Sequence, residues 1–446
     1  MSFFKAYDMR GTFAVDFDLE LVKKVGFALP KVLGGKRYLV GRDCRTTSEA
    51  VHNELITGLL AAGVEVTDIG LVTTPMVYFF TAEGKFDGSI MVTASHNPPS
   101  DNGLKVSKAT ALPVGYDTGL EEVEALTKSD EVIASDRMRP YETNVLGKYV
   151  EWMKSKVSFS GLSTLKIGVD CSNGMASILA HELFPNAIII NDTLDGTFPS
   201  HSPNPLKAEA REQIAELVKT EKLDCGVIFD GDADRCMFVD ENGEFVQPDY
   251  LIPIIAREIG QGQGERVIHD VRTSRGAIDA LKEMGFEPHM VPVGHAFAKP
   301  ILRKIDAIGG GELAGHYYFR DFYGCDSGVF AALKILKAIA EAKAAGKSFS
   351  GLMAPISKKY ASTGELNYRI EDKDAAIKRV LKMAEKSLPR EISRSEMDGI
   401  RIEYENGWVN IRKSNTEPYL RLIAETTEKQ ELERWVKLLE GAIYDY

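Results

Sequence analysis

The chain has no apolar run approaching the ~18 residues that cross a membrane, which argues against a membrane span over its 446 residues. Its first residues, MSFFKAYDMRG, lack the apolar segment of a secretory signal. No basic run occurs, and 65 acidic residues against 54 basic ones leave a formal net charge of −11. That balance argues against nucleic acid as a partner. An anionic ligand would have to be held by local positive groups. Cysteine is scarce. Cys44, Cys171, Cys225, Cys236 and Cys325 are odd in number, scattered and without a C-x-x-C pair. This fits reduced thiols better than a disulfide scaffold or a zinc site. No low-complexity linker is present. These absences lead us to expect a cytoplasmic protein with no nucleic acid, no membrane and no obligatory protein partner.

The length exceeds one hydrophobic core and suggests roughly three or four domains. Three segments look alike. RYLVGRDCRTTSEAVHNELITGLLAAG (37–63), KIGVDCSNGMASILAHELF (166–184) and ERVIHDVRTSRGAIDALKEMG (265–285) each read as an apolar strand, a polar turn and a helix. The turns carry Asp43, Asp170 and Asp270. The shared order predicts three related α/β domains, although generic strand-turn-helix units could coincide by chance. We place the domains at 1–144, 145–247 and 248–360, with a different unit at 361–446. In that unit Ile400 to Glu425 alternates in strand fashion around Asn406-Gly407, and a helix from Glu428 to Ile443 follows, giving a small α+β domain.

Asp230-Gly-Asp232-Ala-Asp234-Arg235 lies between the apolar runs CGVIF and CMFV. Three carboxylates at alternate positions repel unless a cation sits among them, and hard oxygen ligands suit Mg²⁺ or Ca²⁺. An EF-hand is rejected, because Arg235 stands where that loop needs glycine and strands flank the motif. A solvated acidic turn remains the alternative. In GSIMVTASHNPPSDNGLKVS (88–107) a strand ends near Ser95, and Pro98 and Pro99 stiffen the loop that follows. Taken alone this is also a polar surface turn. A phosphorylated Ser95 would carry about −1.5 to −2 charges and could complete the shell of an ion held by the three aspartates. His96 could hydrogen-bond an oxyanion, and Lys105 and Arg235 could stabilise a transferring phosphoryl group. Gly309 to His316 is a Gly-rich turn in which Glu312 could hold sugar hydroxyls and His316 could move a proton; a surface Gly turn reads equally well. Arg412, Ser414, Asn415, Thr416 and Arg421 gather donors suited to phosphate, or form an exposed cationic turn. Gly294, His295 and Lys299 add a polar turn, and Arg10 stands in an N-terminal loop.

Together these residues resemble the α-D-phosphohexomutase family. Thr93 to Pro99 is similar to its phosphoserine loop and Asp230 to Arg235 to its metal loop. Gly311 to His316 is similar to its sugar-binding loop and Arg412 to Pro418 to its phosphate-binding loop. The resemblance covers essentially the whole chain. It implies an α/β protein of four domains around a central cleft, three with mixed sheets plus a C-terminal α+β domain. It also implies Mg²⁺ held by Ser95, Asp230, Asp232 and Asp234, and a hexose 1,6-bisphosphate as activator. Phosphorylated Ser95 would pass its phosphoryl group to a hexose phosphate, and the bisphosphorylated sugar would turn and return its other phosphate. Arg10, Lys105 and Arg235 would assist, His316 and His295 would move protons, and Gly294, Glu312 and the C-terminal loop would bind substrate. Two departures stand out: Ala314 where many relatives have serine, and Pro292 where they often carry lysine. GHYYFRDF looks most like bacterial phosphomannomutases. We therefore expect activity on mannose 1- and 6-phosphates, with glucose phosphates as well. Glu312, expected to hold hydroxyls that both sugars share, cannot distinguish them. Phosphoglucosamine mutase, a sugar-phosphate phosphatase and a non-catalytic phosphosugar-binding protein are the alternatives.

Overall fold

The computed structural model describes residues 3–129, 139–157, 161–414 and 419–444. The three look-alike segments each open a sheet of the same plan. In the first unit Arg37–Arg42 lies between Glu65–Leu71 and Gly88–Val92, all parallel, and Asp101–Lys108 pairs antiparallel with Gly88–Val92. The second repeats this with Ile167–Asp170 between Ile188–Ile190 and Cys225–Phe229, then Cys236–Val239 antiparallel. In the third, Arg266–Asp270 lies between Glu287–Val291 and Gly309–Gly311, with Tyr317–Phe319 antiparallel. Parallel strands need helical crossovers, so their sheets are covered and read as continuous apolar runs such as CGVIF. Each sheet is mixed only because its fourth strand returns through a short loop.

That return loop matters most for function. It contains Ser95 in the first unit, Asp230 to Arg235 in the second and Glu312 to His316 in the third. Three motifs of unlike chemistry therefore occupy one position of a repeated frame.

The frame is packed as one body. Helices Leu19–Leu33 and Ser48–Ala61 cross closely at Gly26 and Gly58, where a Cβ on either would strike the other helix's backbone. Phe79, Met91, Phe229, Tyr317 and Phe330 belong to a single apolar core running through all three units. Helix Gly328–Ala344 is buried along most of its length and forms part of that core. A helix apolar nearly all round belongs inside a protein.

The fourth unit is separate in kind. Gly407–Lys413 pairs antiparallel with both Ile400–Tyr404 and Tyr419–Thr426. Glu391–Ser395 extends the sheet at one edge, while Ala361–Ser362 and Leu366–Arg369 pair with Tyr419–Thr426. Helices Lys373–Ser387 and Lys429–Tyr444 pack with it around a core of its own, containing Val380, Tyr404, Leu422, Trp435 and Leu439. Among the described residues no helix is long and apolar enough to cross a membrane, and all five cysteines are free.

Candidate active site

Ser95 follows Gly88–Val92 by three residues and adopts a left-handed backbone, φ +50°. An L-residue pays roughly 1–2 kcal/mol for that conformation, so the surroundings must hold it. The Ser95 N–H donates to Thr93 Oγ1 at 2.9 Å. Its hydroxyl donates to Asp230 Oδ2 at 2.9 Å and lies 3.3 Å from His96 Nδ1. Burial, then the cations of Arg235 and Arg10, push the His96 imidazole well below its ordinary range, which keeps it neutral beside the serine. Gly231 allows the second unit's loop to come this close, since a Cβ there would sit 2.6 Å from the Ser95 carbonyl oxygen.

The three aspartates are fully buried and their carboxylate oxygens lie within 4.8 Å of one another. Burial, then Asp234 and Asp232, raise Asp230 well above the usual carboxylate range. Lys105 bridges the other two at 2.7 Å from Asp232 Oδ2 and 2.5 Å from Asp234 Oδ2. Burial opposes its charge, but the two carboxylates outweigh that and hold the ammonium above lysine's ordinary range. Arg235 Nε stands 3.7 Å from Asp230 and 3.8 Å from Asp234. The loop is clasped from both sides. Thr74, opening helix Thr74–Glu83 of the first unit, donates its N–H to the Asp232 carbonyl and its hydroxyl to Asp232 Oδ2 at 2.6 Å. Gly328, opening the third unit's hub helix, donates to the Ala233 carbonyl at 3.3 Å. Two helix N-termini thus place their positive ends at the acidic loop. Asp232 Oδ1 and Asp234 Oδ1 are buried without hydrogen-bond partners. Buried carboxylate oxygens that lack a hydrogen bond, in a cluster of hard donors, fit a divalent cation of the magnesium class.

The third loop is joined to the second through backbone. Arg235 and His316 form an antiparallel bridge, and Cys236 N–H donates to the Gly315 carbonyl at 3.3 Å. His316 Nδ1 lies 2.7 Å from Asp326 Oδ2, whose other oxygen pairs with the buried Lys299 at 2.8 Å. Burial works against charge on Asp326, but Lys299 and His316 outweigh it and hold the carboxyl well below its usual range. Glu312 accepts from the Gly294 N–H at 3.0 Å and from the Tyr318 hydroxyl, and burial raises its carboxyl. The His295 ring lies 6.1 Å from that of His316 and is held neutral by burial and Lys299. Arg10 reaches Asn97 Oδ1 at 2.9 Å and Asp8 at 2.6 Å, joining the Ser95 loop from the N-terminal strand Met9–Thr12.

In the fourth unit Arg412 and Arg421 converge on Glu365, at 2.9 and 3.1 Å. Arg272 of the third unit meets the same carboxylate at 3.5 Å and Glu312 at 3.9 Å. Burial would raise Glu365, but Arg272, Arg412 and Arg421 outweigh it and bring it down to about 2. Ser414 N–H donates to the Tyr419 carbonyl. Asn415 and Thr416 lie outside the described residues.

The geometry adds residues that motif reading passed over: Thr74, Arg45, Arg272, Asp326, Glu365 and Tyr318. Arg45 and Arg272 each stand two residues past a repeated turn aspartate, a spacing legible in the sequence. Nothing local marks Thr74 or Glu365, whose partners are far away in the chain, and Asp326 carries no motif although His316 lies only ten residues before it.

With this geometry established, comparison with known proteins is consistent throughout. Profiles described as phosphoglucomutase/phosphomannomutase, alpha/beta/alpha domains I, II and III match residues 1–133, 147–243 and 247–360. The C-terminal domain profile matches 365–441. A phosphomannomutase of Vibrio cholerae is 37% identical over 98% of both chains. One of Methanocaldococcus jannaschii is 34% identical over 99% of this chain and 97% of its own. The crystal structure of a phosphoglucomutase/phosphomannomutase family protein from Burkholderia thailandensis superposes with a TM-score of 0.86 at 29% identity, covering 99% of this chain and 96% of the other. Four matched domains in order over nearly the whole chain, with relatives above 30% identity along its length, establish that the chain belongs to the phosphoglucomutase/phosphomannomutase family of mutases.

Proposed function

We propose that this mutase interconverts hexose 1-phosphates and hexose 6-phosphates through a phosphorylated Ser95, with mannose phosphates favoured and glucose phosphates also accepted. The observation that carries the reading is the Ser95 hydroxyl on Asp230, at the edge of a buried carboxylate triad flanked by Lys105 and Arg235, with the Arg10 charge felt at Asp232 and Asp234. Asp230, Asp232 and Asp234 would hold Mg²⁺, which supplies countercharge to phosphoryl oxygens when bound.

In the first half-reaction the bond between phosphorus and Ser95 Oγ breaks and a new one forms to a sugar hydroxyl oxygen. That hydroxyl's proton leaves to His316, and the departing Ser95 Oγ takes up one proton from solvent to become the free hydroxyl. The proton gained at His316 is thus balanced by one drawn from water. Asp326 fixes which His316 nitrogen faces away from substrate by accepting at Nδ1. The bisphosphorylated sugar then presents its other phosphate to Ser95, and both steps run in reverse. Lys105 and Arg235 meet the charge on the moving group, where positioning and electrostatics supply most of the acceleration. Glu312 holds hydroxyls, and Arg412 and Arg421 take the phosphate that is not reacting. On this reading the ligands are small hexose phosphates, a hexose 1,6-bisphosphate primes the enzyme, and the setting is cytoplasmic. The mannose preference rests on similarity to the named phosphomannomutases.

The test combines intact mass, before and after incubation with a hexose 1,6-bisphosphate, with an assay of mannose 1-phosphate against glucose 1-phosphate. Uptake of one phosphate lost in Ser95→Ala supports the reading. Release of inorganic phosphate at the rate of turnover would make the protein a phosphatase instead.

A further inference from the structure

The repeated turn aspartates are not used by the chemistry described so far, yet all three do the same thing. Asp43, Asp170 and Asp270 each accept from the backbone N–H two residues on, at 3.0, 2.8 and 2.7 Å. Each turn then grips its own unit's return loop or the strand leading to it. Ser172 donates to the Phe229 carbonyl at 2.6 Å, just before the metal loop. Asp270 Oδ2 accepts from Leu313 N–H at 3.0 Å, within the sugar loop. In the first unit the grip is stronger, and a guanidinium makes it.

Arg45 is buried, with its Nε 3.2 Å from Asp43 Oδ2. Nη2 donates to the Ser95 and Asn97 carbonyls at 2.8 and 2.7 Å, and Nη1 to the Pro98 and Asp101 carbonyls at 2.7 and 2.9 Å. Three carbonyls of the loop and that of Asp101, where the next strand begins, are thus held by one planar fork, a geometry lysine cannot reproduce. The second unit closes over this clamp. The Phe198 ring lies 5.0 Å from the guanidinium, and Gly196 packs so near that a Cβ would strike the Arg45 backbone 2.5 Å away.

We propose that Arg45 is a positioning residue for phosphoryl transfer, holding the Ser95 loop so that the serine oxygen meets the acidic triad. Ser95 sits in a left-handed conformation. The peptide before it is held by Thr93 Oγ1 on the Ser95 N–H, and the peptide after it by Arg45 on the Ser95 carbonyl. With both flanking peptides pinned, the side-chain torsion is the one freedom left to Oγ. Without Arg45 the loop is free to leave the left-handed region, swinging Oγ away from Asp230. The inference rests on the reading of Ser95 as the phosphoryl carrier.

Two variants test it. Arg45→Lys keeps the charge beside Asp43 but not the fork. Asp43→Asn combined with Arg45→Gln removes both charges together, so no buried ion is left unpaired. Since displacement of a reacting atom by an ångström costs on the order of a hundredfold, kcat should fall ~30- to 100-fold in each. KM for hexose 1-phosphate should stay within about threefold of wild type. Ser95 should still take up phosphate from a hexose 1,6-bisphosphate, with a shifted or broadened ³¹P resonance. If both variants fold and keep kcat within about threefold, or if the loss lies in KM, or if kcat falls while the ³¹P resonance is unchanged, the proposal is wrong. Should neither variant fold, Phe198→Leu leaves the ion pair in place and removes the ring above it; unchanged kcat and ³¹P resonance there would also overturn the proposal. A wild-type protein that neither takes up phosphate nor turns over hexose phosphates would instead defeat the reading of Ser95. Arg45's hold is then read independently from amide hydrogen exchange over residues 93–101, which should quicken in Arg45→Lys and overturns the proposal if it does not.

Discussion

Three units of this protein share one apolar core, the first keeping a second of its own besides, whereas the fourth takes no part in it and packs around a core of its own. The joints differ accordingly. Between the first three units the loops are tied backbone to backbone, through Thr74 to Asp232, Gly328 to Ala233 and the Arg235–His316 bridge. The fourth unit meets the third through charged side chains. Arg401 donates to the Val271 and Thr273 carbonyls, Arg275 pairs with Glu403, and Glu365 gathers Arg272 with Arg412 and Arg421. Backbone joints inside a shared core leave few rotatable bonds between the groups they hold. Joints made by long side chains, even with Arg272, Arg401 and Arg412 buried, hold less tightly because each depends on several rotatable bonds. On the proposed function, the bond-breaking groups lie in the first kind of joint, and the arginines that would take the second phosphate lie in the other.

This contrast predicts where damage should appear. Ser95→Ala should lower kcat by about 10⁴-fold or more and abolish phosphate uptake, read by intact mass. Retention of full mutase activity would remove the rigid half from the chemistry altogether. Lys105→Met should come next, at roughly 10²- to 10³-fold in kcat, because Asp232 and Asp234 then face each other without their cation. Steady-state kinetics should show KM little changed. Arg421→Ala should act on the other side of the comparison, raising KM about 10- to 100-fold while Ser95 phosphorylation from a bisphosphate persists. If Arg421→Ala lowered kcat with KM intact, the division between a chemical half and a recognition half would collapse.

The sequence made the chemistry more legible than the joints. Asp230, Asp232 and Asp234 lie within five residues, and Ser95 sits between an apolar strand and two prolines, so local pattern exposes both. The three-unit plan was legible because parallel strands write continuous apolar runs and each is followed by an Asp turn. It also foretold the last sheet's turn at Asn406-Gly407 and its closing helix. Helix Lys373–Ser387 and strand Glu391–Ser395 were not read, the strand being mostly exposed and so lacking the alternation that marks a buried face. Glu365 could not be found at all. Its role depends on Arg272, far upstream, and on Arg412 and Arg421, far downstream. Arg45 was visible but mute, since a fork aimed at four carbonyls leaves no pattern in side-chain types.

The seam between the two kinds of region contains a last, smaller test. Asp249 lies in the Pro248–Leu251 turn at a small cavity shared with Arg272, Ser274 and Leu313 of the third unit and Glu425 of the fourth. It accepts from the Ser274 N–H at 2.8 Å, while its other oxygen is buried without a hydrogen-bond partner. Burial, only partly offset by that bond, and then the Glu425 and Asp270 carboxylates push it up from 3.8 to about 7. The sign follows from which state holds the proton. Below the unfolded value both states are protonated and the fold has its full stability. As pH rises from about 4 to about 7 the unfolded chain releases a proton that the folded one retains, so stability is lost across that window. Above it both are ionised and the loss is constant. Asp249→Asn keeps an oxygen for Ser274 and removes the charge, so its melting temperature should exceed wild type by a margin that widens from about pH 4 to about pH 7 and then stays level. The margin should be a few degrees, small beside the kinetic losses above. A margin that does not change with pH would mean that Asp249 ionises as an exposed carboxylate does, and that the seam admits water as freely as a surface ion pair.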